Sequence, residues 1–282
     1  VSMLITPADL AARLDDPTLR IFDTTVRLTR PPGGGPYTPE SGRSSYEDAH
    51  LPGAGFADLA GDLAAPDTLP FTLPSPERFA EAAGRLGIGP GAHVVVYAQE
   101  SPMWATRLWW LLRHFGFDAV SVLDGGLPAW KAAGLPVASG RPTGYAPTTF
   151  TARPRPHLVA TRADVEEIVA SGSSCLINAL APEAFRGEGV TSYSRPGRIP
   201  GSVNAPARSL LDDKGRFLPP EDLASQLAPL RGEPSLVAYC GGGISATIPV
   251  FALALLGRDD VRLYDGSLTE WSADPSLPLE TG

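Results

Sequence analysis

Cysteine is scarce: the chain has only Cys175 and Cys240 in 282 residues. Two are too few for a disulfide framework at this length, and the pattern fits a reducing compartment, so a cytoplasmic location is expected. Histidine is scarce as well. Residues 50, 93, 114 and 157 never fall at metal-ligand spacing with one another or with a cysteine, so neither a metal nor any other cofactor is expected. No uninterrupted apolar run reaches the roughly 18 residues of a membrane span, and the first residues lack a basic segment followed by an apolar one. Basic charge is in deficit: 23 Lys and Arg face 31 Asp and Glu, for a formal net charge of −8. Nucleic acid and anionic membrane attract basic surfaces, so neither is expected as a partner.

What is present suffices for two ordinary domains with cores of their own, since 43% of the residues are hydrophobic. Thr6 and Pro7 read as the cap and first residue of a short amphipathic helix. Strands are expected at 19–22, 94–97 and 120–123, helices at 75–86 and 105–115, and a Pro/Gly-rich loop at 30–37. The second half repeats this order. Thr161-Arg162-Ala163-Asp164 answers Thr6-Pro7-Ala8-Asp9, and Leu176-Ile177-Asn178 answers Ile21-Phe22-Asp23. Arg198-Ile199-Pro200-Gly201 answers His50-Leu51-Pro52-Gly53, and Val237-Ala238-Tyr239 answers Val95-Val96-Tyr97. Tyr264-Asp265-Gly266 through Trp271 answers Leu123-Asp124-Gly125 through Trp130. The pattern predicts an α/β chain made of two tandem copies of one unit, residues 1–140 and 157–282. Each is a mostly parallel sheet flanked by helices, and a proline-rich linker at 139–157 joins them.

The stretch that carries chemistry is Tyr239-Cys240-Gly241-Gly242-Gly243-Ile244-Ser245-Ala246-Thr247. Residues 236–239 read as a buried strand and 245–256 as the following helix, so Cys240 stands at the carboxyl end of a strand, where α/β sheets bind their ligands. A glycine-rich turn can gather its N–H groups into an anion-binding nest, and the helix adds the positive end of its dipole. Both favour a thiolate at Cys240. Cys-dependent phosphatases place an arginine six positions after the cysteine to hold a phosphate dianion; here that position is Ala246. With no lysine or arginine between Gly241 and Ile248, the loop suits a small, singly charged adduct such as a persulfide. Ala98 stands at the matching place of the first half, without the glycines, so that half reads as a support. Cys175 begins a buried strand and reads as core packing.

These motifs, in this order and over nearly the whole chain, resemble the tandem-domain rhodanese and 3-mercaptopyruvate sulfurtransferase family. The carriers are the Pro-Gly loops at His50 and Arg198, Leu123-Asp124-Gly125-Gly126-Leu127-Pro128-Ala129-Trp130, the Cys240 loop, and Tyr264-Asp265-Gly266-Ser267 through Glu270-Trp271. The resemblance implies a non-catalytic first domain packed on a catalytic second one. It implies that Cys240 takes sulfur from 3-mercaptopyruvate or thiosulfate, holds it as a persulfide on the N–H groups of Gly241 to Thr247, and passes it to cyanide or to a thiol such as thioredoxin. A carrier that holds a persulfide without turnover is the alternative.

Three departures mark further candidates. Gly241-Gly242-Gly243 lacks the hydroxyl that the mercaptopyruvate enzymes carry in this loop, which is thought to act with a histidine matching His50. That leaves His50 either a site residue or a histidine bonding its own loop. The family's usual aspartate is Asn178 here, and its donor-gripping arginine is Ala184. Arg186 has the parity to replace that arginine only if its segment is extended.

Overall fold

The computed structural model describes residues 2–66, 69–141 and 144–282, which places residues 142 and 143 of the linker outside the described part. Two five-stranded parallel sheets form the frame. In the first, the strands lie in the order Leu4–Ile5, Val120–Leu123, His93–Tyr97, Leu19–Asp23 and Gly55–Phe56. In the second, the order is Val159–Ala160, Arg262–Tyr264, Leu236–Tyr239, Cys175–Asn178 and Ser202–Asn204. The two orders are the same when each strand is replaced by its repeat partner.

The copies agree down to single hydrogen bonds. Thr6 and Thr161 each cap a helix by accepting from the N–H three residues on, of Asp9 and of Asp164. The Tyr97 hydroxyl accepts from Leu51 N–H and the Tyr239 hydroxyl from Ile199 N–H. The indole N–H of Trp130 donates to Pro136 O and that of Trp271 to Pro278 O. Central strands such as His93–Tyr97 and Leu236–Tyr239 are buried along their whole length, as parallel strands covered on both faces must be.

The halves meet through helices Met103–His114 and Thr247–Leu255, with Trp109 edge-on to Phe251 at 4.8 Å between ring centres. A helix sandwiched in this way is apolar over most of its surface, and both are almost wholly buried. An antiparallel pair, Val26–Thr29 with Thr38–Ser41, brackets the Pro/Gly-rich loop. Among the described residues the second half has no copy of it, and alternation alone did not reveal it. The linker carries no helix or strand among the described residues from 144 to 155. It runs over the first half, where Thr148 N–H donates to Gly84 O and Tyr145 hydroxyl to Gly53 O.

The seam is reciprocal. Asp265 Oδ2 accepts Leu73 N–H from the first half at 2.6 Å, and Asp124 Oδ1 accepts Phe217 N–H from the second at 2.9 Å. Beside Asp265 lies Arg107, 1% exposed, whose guanidinium donates to Asp265 Oδ1 at 2.6 Å, to Gly243 O at 3.2 Å and to Phe71 O at 2.5 Å. Its counterpart across the repeat is the apolar Ile248, so this ion pair exists on one side only.

Candidate active site

Strand Leu236–Tyr239 ends at Cys240, which is 2% exposed, and helix Thr247–Leu255 begins seven residues later. The helix starts two residues after its expected position because 240–246 is a wrapped loop. That loop is anchored from behind. The N–H groups of Cys240 and Gly243 both donate to Ser267 Oγ at 3.1 Å, and Ser267 Oγ donates in turn to Tyr264 O at 2.8 Å. Gly241 O accepts from Thr269 N–H at 2.8 Å and from its hydroxyl at 2.7 Å, and Cys240 O accepts from Leu268 N–H. The N–H groups of Gly241, Gly242, Ile244, Ser245 and Ala246 make no hydrogen bond among the described residues. Gly241, Gly242, Ile244 and Ser245 also line the cavity, and their N–H groups are free to serve as a cradle there. Gly243 N–H, taken by Ser267, and Thr247 N–H, which donates to Ile244 O, are not part of it, which corrects the expectation of an unbroken run from Gly241 to Thr247.

The glycines do different jobs. Gly243 has φ of +74°, and a Cβ there would stand 2.5 Å from Asp265 O. A side chain on Gly241 would run into the Tyr193 hydroxyl, whereas at Gly242 a Cβ meets nothing closer than Thr269 Oγ1 at 3.8 Å. Gly243→Ala is therefore expected to cost about 2 kcal/mol or more in urea unfolding, from the left-handed backbone and the clash together. Gly242→Ala is expected to change stability little.

Cys240 opens into a cavity of about 320 Å³ between the two halves. The second half contributes Leu180, Ser192, Tyr193, Ser194 and Thr269 along with Cys240, Gly241, Gly242, Ile244 and Ser245. The first contributes Leu28, Pro36, Tyr37, Pro70, Phe71 and Met103. Among the described residues no charged side chain lines it. Burial, then the Cys240 sulfur beside it, pushes the Tyr193 hydroxyl pKa up, so that hydroxyl stays protonated and can donate. Most of these wall residues escaped the sequence reading, since they belong to the antiparallel pair and to loops with no helical or strand period. Phe71 is singled out in three dimensions, by the bond of Arg107 to its carbonyl and of Asp265 to Leu73 N–H.

Other candidates lie elsewhere. Arg186 follows a helical turn, Pro182–Phe185, so the extended segment on which its role depended is absent; its guanidinium pairs with Glu188 at 2.8 Å in the open. The helical turn arises because Pro182 is well placed at a first helical position. His50 does not line the cavity: its ring stacks on Tyr46 at 4.1 Å and its Nδ1 bonds Tyr46 O at 2.8 Å, in the helix Arg43–Asp48 that precedes its loop. Asn178 is fully buried at the end of its strand, where its Oδ1 accepts Leu180 N–H at 2.9 Å and so shapes the turn that brings Leu180 to the wall. Ala246 and Thr247 are fully buried and do not line the cavity. The Thr247 hydroxyl donates to Ile244 O and meets the Thr106 hydroxyl at 2.7 Å across the seam. Arg195 and Arg198 bond backbone carbonyls, at Asp274 O and Gly282 O among others. Cys175 is half-buried, and burial raises its thiol pKa, which keeps it a poor nucleophile. Among the described residues no cluster of three or more His, Cys, Asp or Glu could hold a metal, and no helix is long and apolar enough to cross a membrane.

The chain resembles known proteins along its full length. The model of the Rhodanese-like domain matches it twice, over residues 6–133 and 161–274. A probable 3-mercaptopyruvate sulfurtransferase of Pseudomonas aeruginosa is 39% identical over 289 residues, covering 100% of this chain and 99% of that one. The human 3-mercaptopyruvate sulfurtransferase is 38% identical over 250 residues, 83% of this chain and 82% of its own. The solved structure of SseA, a 3-mercaptopyruvate sulfurtransferase from Escherichia coli, superposes with a TM-score of 0.79 at 30% identity, covering 95% of this chain and 99% of that one. With two such domains in tandem and relatives of this similarity along its full length, the chain belongs to the rhodanese-like family of sulfurtransferases.

Proposed function

We propose that Cys240 is the sulfur-carrying residue, in a double displacement that takes sulfur from 3-mercaptopyruvate in preference to thiosulfate. The observation that carries this reading is the loop itself, with five unbonded N–H groups following a cysteine that opens into a cavity without charged walls among the described residues. The Cys240 thiolate attacks the donor sulfur. A new S–S bond forms and the donor's C–S bond breaks, its electron pair passing to the carbon fragment as an enolate. That fragment takes up the proton given by the donor thiol and leaves as pyruvate. With thiosulfate an S–S bond breaks instead and sulfite keeps the pair. The persulfide left on Cys240 carries one negative charge, which neutral N–H donors can hold. A thiophilic acceptor, a thiol or cyanide, then removes the outer sulfur.

Donor choice follows from charge. Thiosulfate is a dianion at its reacting end, and a dianion calls for charge-assisted hydrogen bonds, roughly twice as strong as neutral ones. The arginine position of the family is Ala184, and Arg186 is engaged with Glu188. The expected kcat/KM is about tenfold or more higher for 3-mercaptopyruvate, the value of one missing charged hydrogen bond. Steady-state assays of both donors with one acceptor test it, and faster turnover of thiosulfate would overturn the assignment.

A further inference from the structure

We propose that the sulfur acceptor of this enzyme is a small apolar thiol, whose carbon side group is taken up by a cavity wall built on Phe71; this rests on the reading of Cys240 as the persulfide carrier. The cavity is wider than a three-carbon donor requires, at the lower end of the roughly 300–1,000 Å³ that hold organic ligands. Its polar lining comes mainly from the second half, in Cys240 and Ser245 of the loop together with Ser192, Tyr193, Ser194 and Thr269. The first half contributes Phe71, Met103, Leu28, Pro70 and the ring of Tyr37, surfaces that offer contact area but no charge. Arg30 sits over the Tyr37 ring at 5.9 Å and donates to Val190 O, so its guanidinium is already engaged.

Phe71 is held there against its own preference. Its φ is +66°, a conformation costly for a bulky side chain, and such strain persists only where the surroundings over-determine it. Arg107 grips its carbonyl, Asp265 grips Leu73 N–H two residues on, and its ring lies 5.3 Å from that of Trp104. The same ion pair thus ties the Gly243 carbonyl of the Cys240 loop to the Phe71 carbonyl of the cavity wall. The acceptor's sulfur would meet the persulfide at the cradle while its side group lies against Phe71. In that step the acceptor sulfur bonds the outer persulfide sulfur and the Cys240 S–S bond breaks. The electron pair returns to Cys240 Sγ, which also takes up the acceptor's thiol proton, so a thiol and a persulfide exchange roles.

The test uses the full-length enzyme and a series of straight-chain alkanethiols from ethanethiol to hexanethiol, whose thiol acidities are alike. Two anionic thiols, 3-mercaptopropionate and 2-mercaptoethanesulfonate, serve as comparison. Mass spectrometry first establishes that Cys240 gains one sulfur from 3-mercaptopyruvate before any acceptor is added; failure here overturns the underlying reading. With the persulfide formed, kcat/KM is expected to rise about fourfold per added methylene until the cavity is filled. The anionic thiols are expected to fall at least tenfold below the alkanethiol of equal length. A flat series, or anionic thiols reacting faster, overturns this inference and leaves the persulfide reading standing. Phe71→Asn supplies the second arm, because asparagine tolerates the left-handed backbone while placing an amide in the wall. The slope is read within the variant, so loss of overall rate does not enter. It is expected to fall below about twofold per methylene, and an unchanged slope would remove Phe71 from the account.

Discussion

Cys240→Ser is expected to abolish sulfur transfer, with a fall on the order of 10⁴ or more in kcat, the scale on which loss of a nucleophile is felt. The serine hydroxyl fits the same space but neither ionises near neutral pH nor forms a stable bond to sulfane sulfur. The backbone that holds residue 240 does not depend on its side chain: Cys240 N–H is bound to Ser267 Oγ and Cys240 O to Leu268 N–H. The variant should therefore fold as the parent does. Cys175→Ser is the matched control. Cys175 begins strand Cys175–Asn178 half-buried, its thiol pKa is raised by burial, and it does not line the cavity. Its replacement should leave transfer from 3-mercaptopyruvate to cyanide largely intact. Equal loss in two folded variants would remove Cys240 from its assigned role.

The second large effect is on stability. Asp265→Ala strands Arg107, a guanidinium 1% exposed, with a buried charge and no carboxylate. Breaking one side of such a pair costs about 3–5 kcal/mol, to be read from urea unfolding. Replacing both partners, as Arg107→Met with Asp265→Leu, should return a good part of that stability, because the desolvation of two charges is then no longer required. Activity should not return with it, since Gly243 O and Phe71 O lose their common donor and Leu73 N–H its acceptor. An Asp265→Ala loss under about 1 kcal/mol would show that water reaches the guanidinium and that the pair is not what closes the seam.

Much of this was legible in the residues. The repeat could be read because apolar runs and Pro-Gly loops recur at a nearly fixed offset, and parallel strands covered on both faces leave short unbroken hydrophobic segments. Strands 120–123 and 236–239 match the expected bounds residue for residue. The Cys240 loop was legible because three adjacent glycines have few uses in regular structure. The wall facing it was not. Leu28 and Tyr37 reach it through an antiparallel pair whose polar residues, Thr38-Pro39-Glu40-Ser41, show no alternation. Phe71 reaches it through a backbone conformation that its residue type disfavours, imposed by Arg107 and Asp265 from far along the chain. Arg186 misled in the opposite sense. Parity along an extended chain is a local argument, and the helical turn Pro182–Phe185 rotates the next residue away from the line it assumed.

The reciprocal seam bears on the ancestry of the molecule. Asp265 receives residue 73 and Asp124 receives residue 217, so each half presents the same patch to the other. That is the geometry of an isologous contact, in which i touches j and j touches i, as in a two-fold dimer of identical chains. Joining two such chains end to end preserves the contact while freeing the two mouths to diverge. Here one has the cysteine, its glycines and Arg107, while the other holds Ala98 against Lys214 and Gly215 in a space of about 10 Å³. A symmetric ancestor would have carried two identical sulfur sites; gene fusion lets one of them be tuned for a single acceptor while its twin becomes masonry.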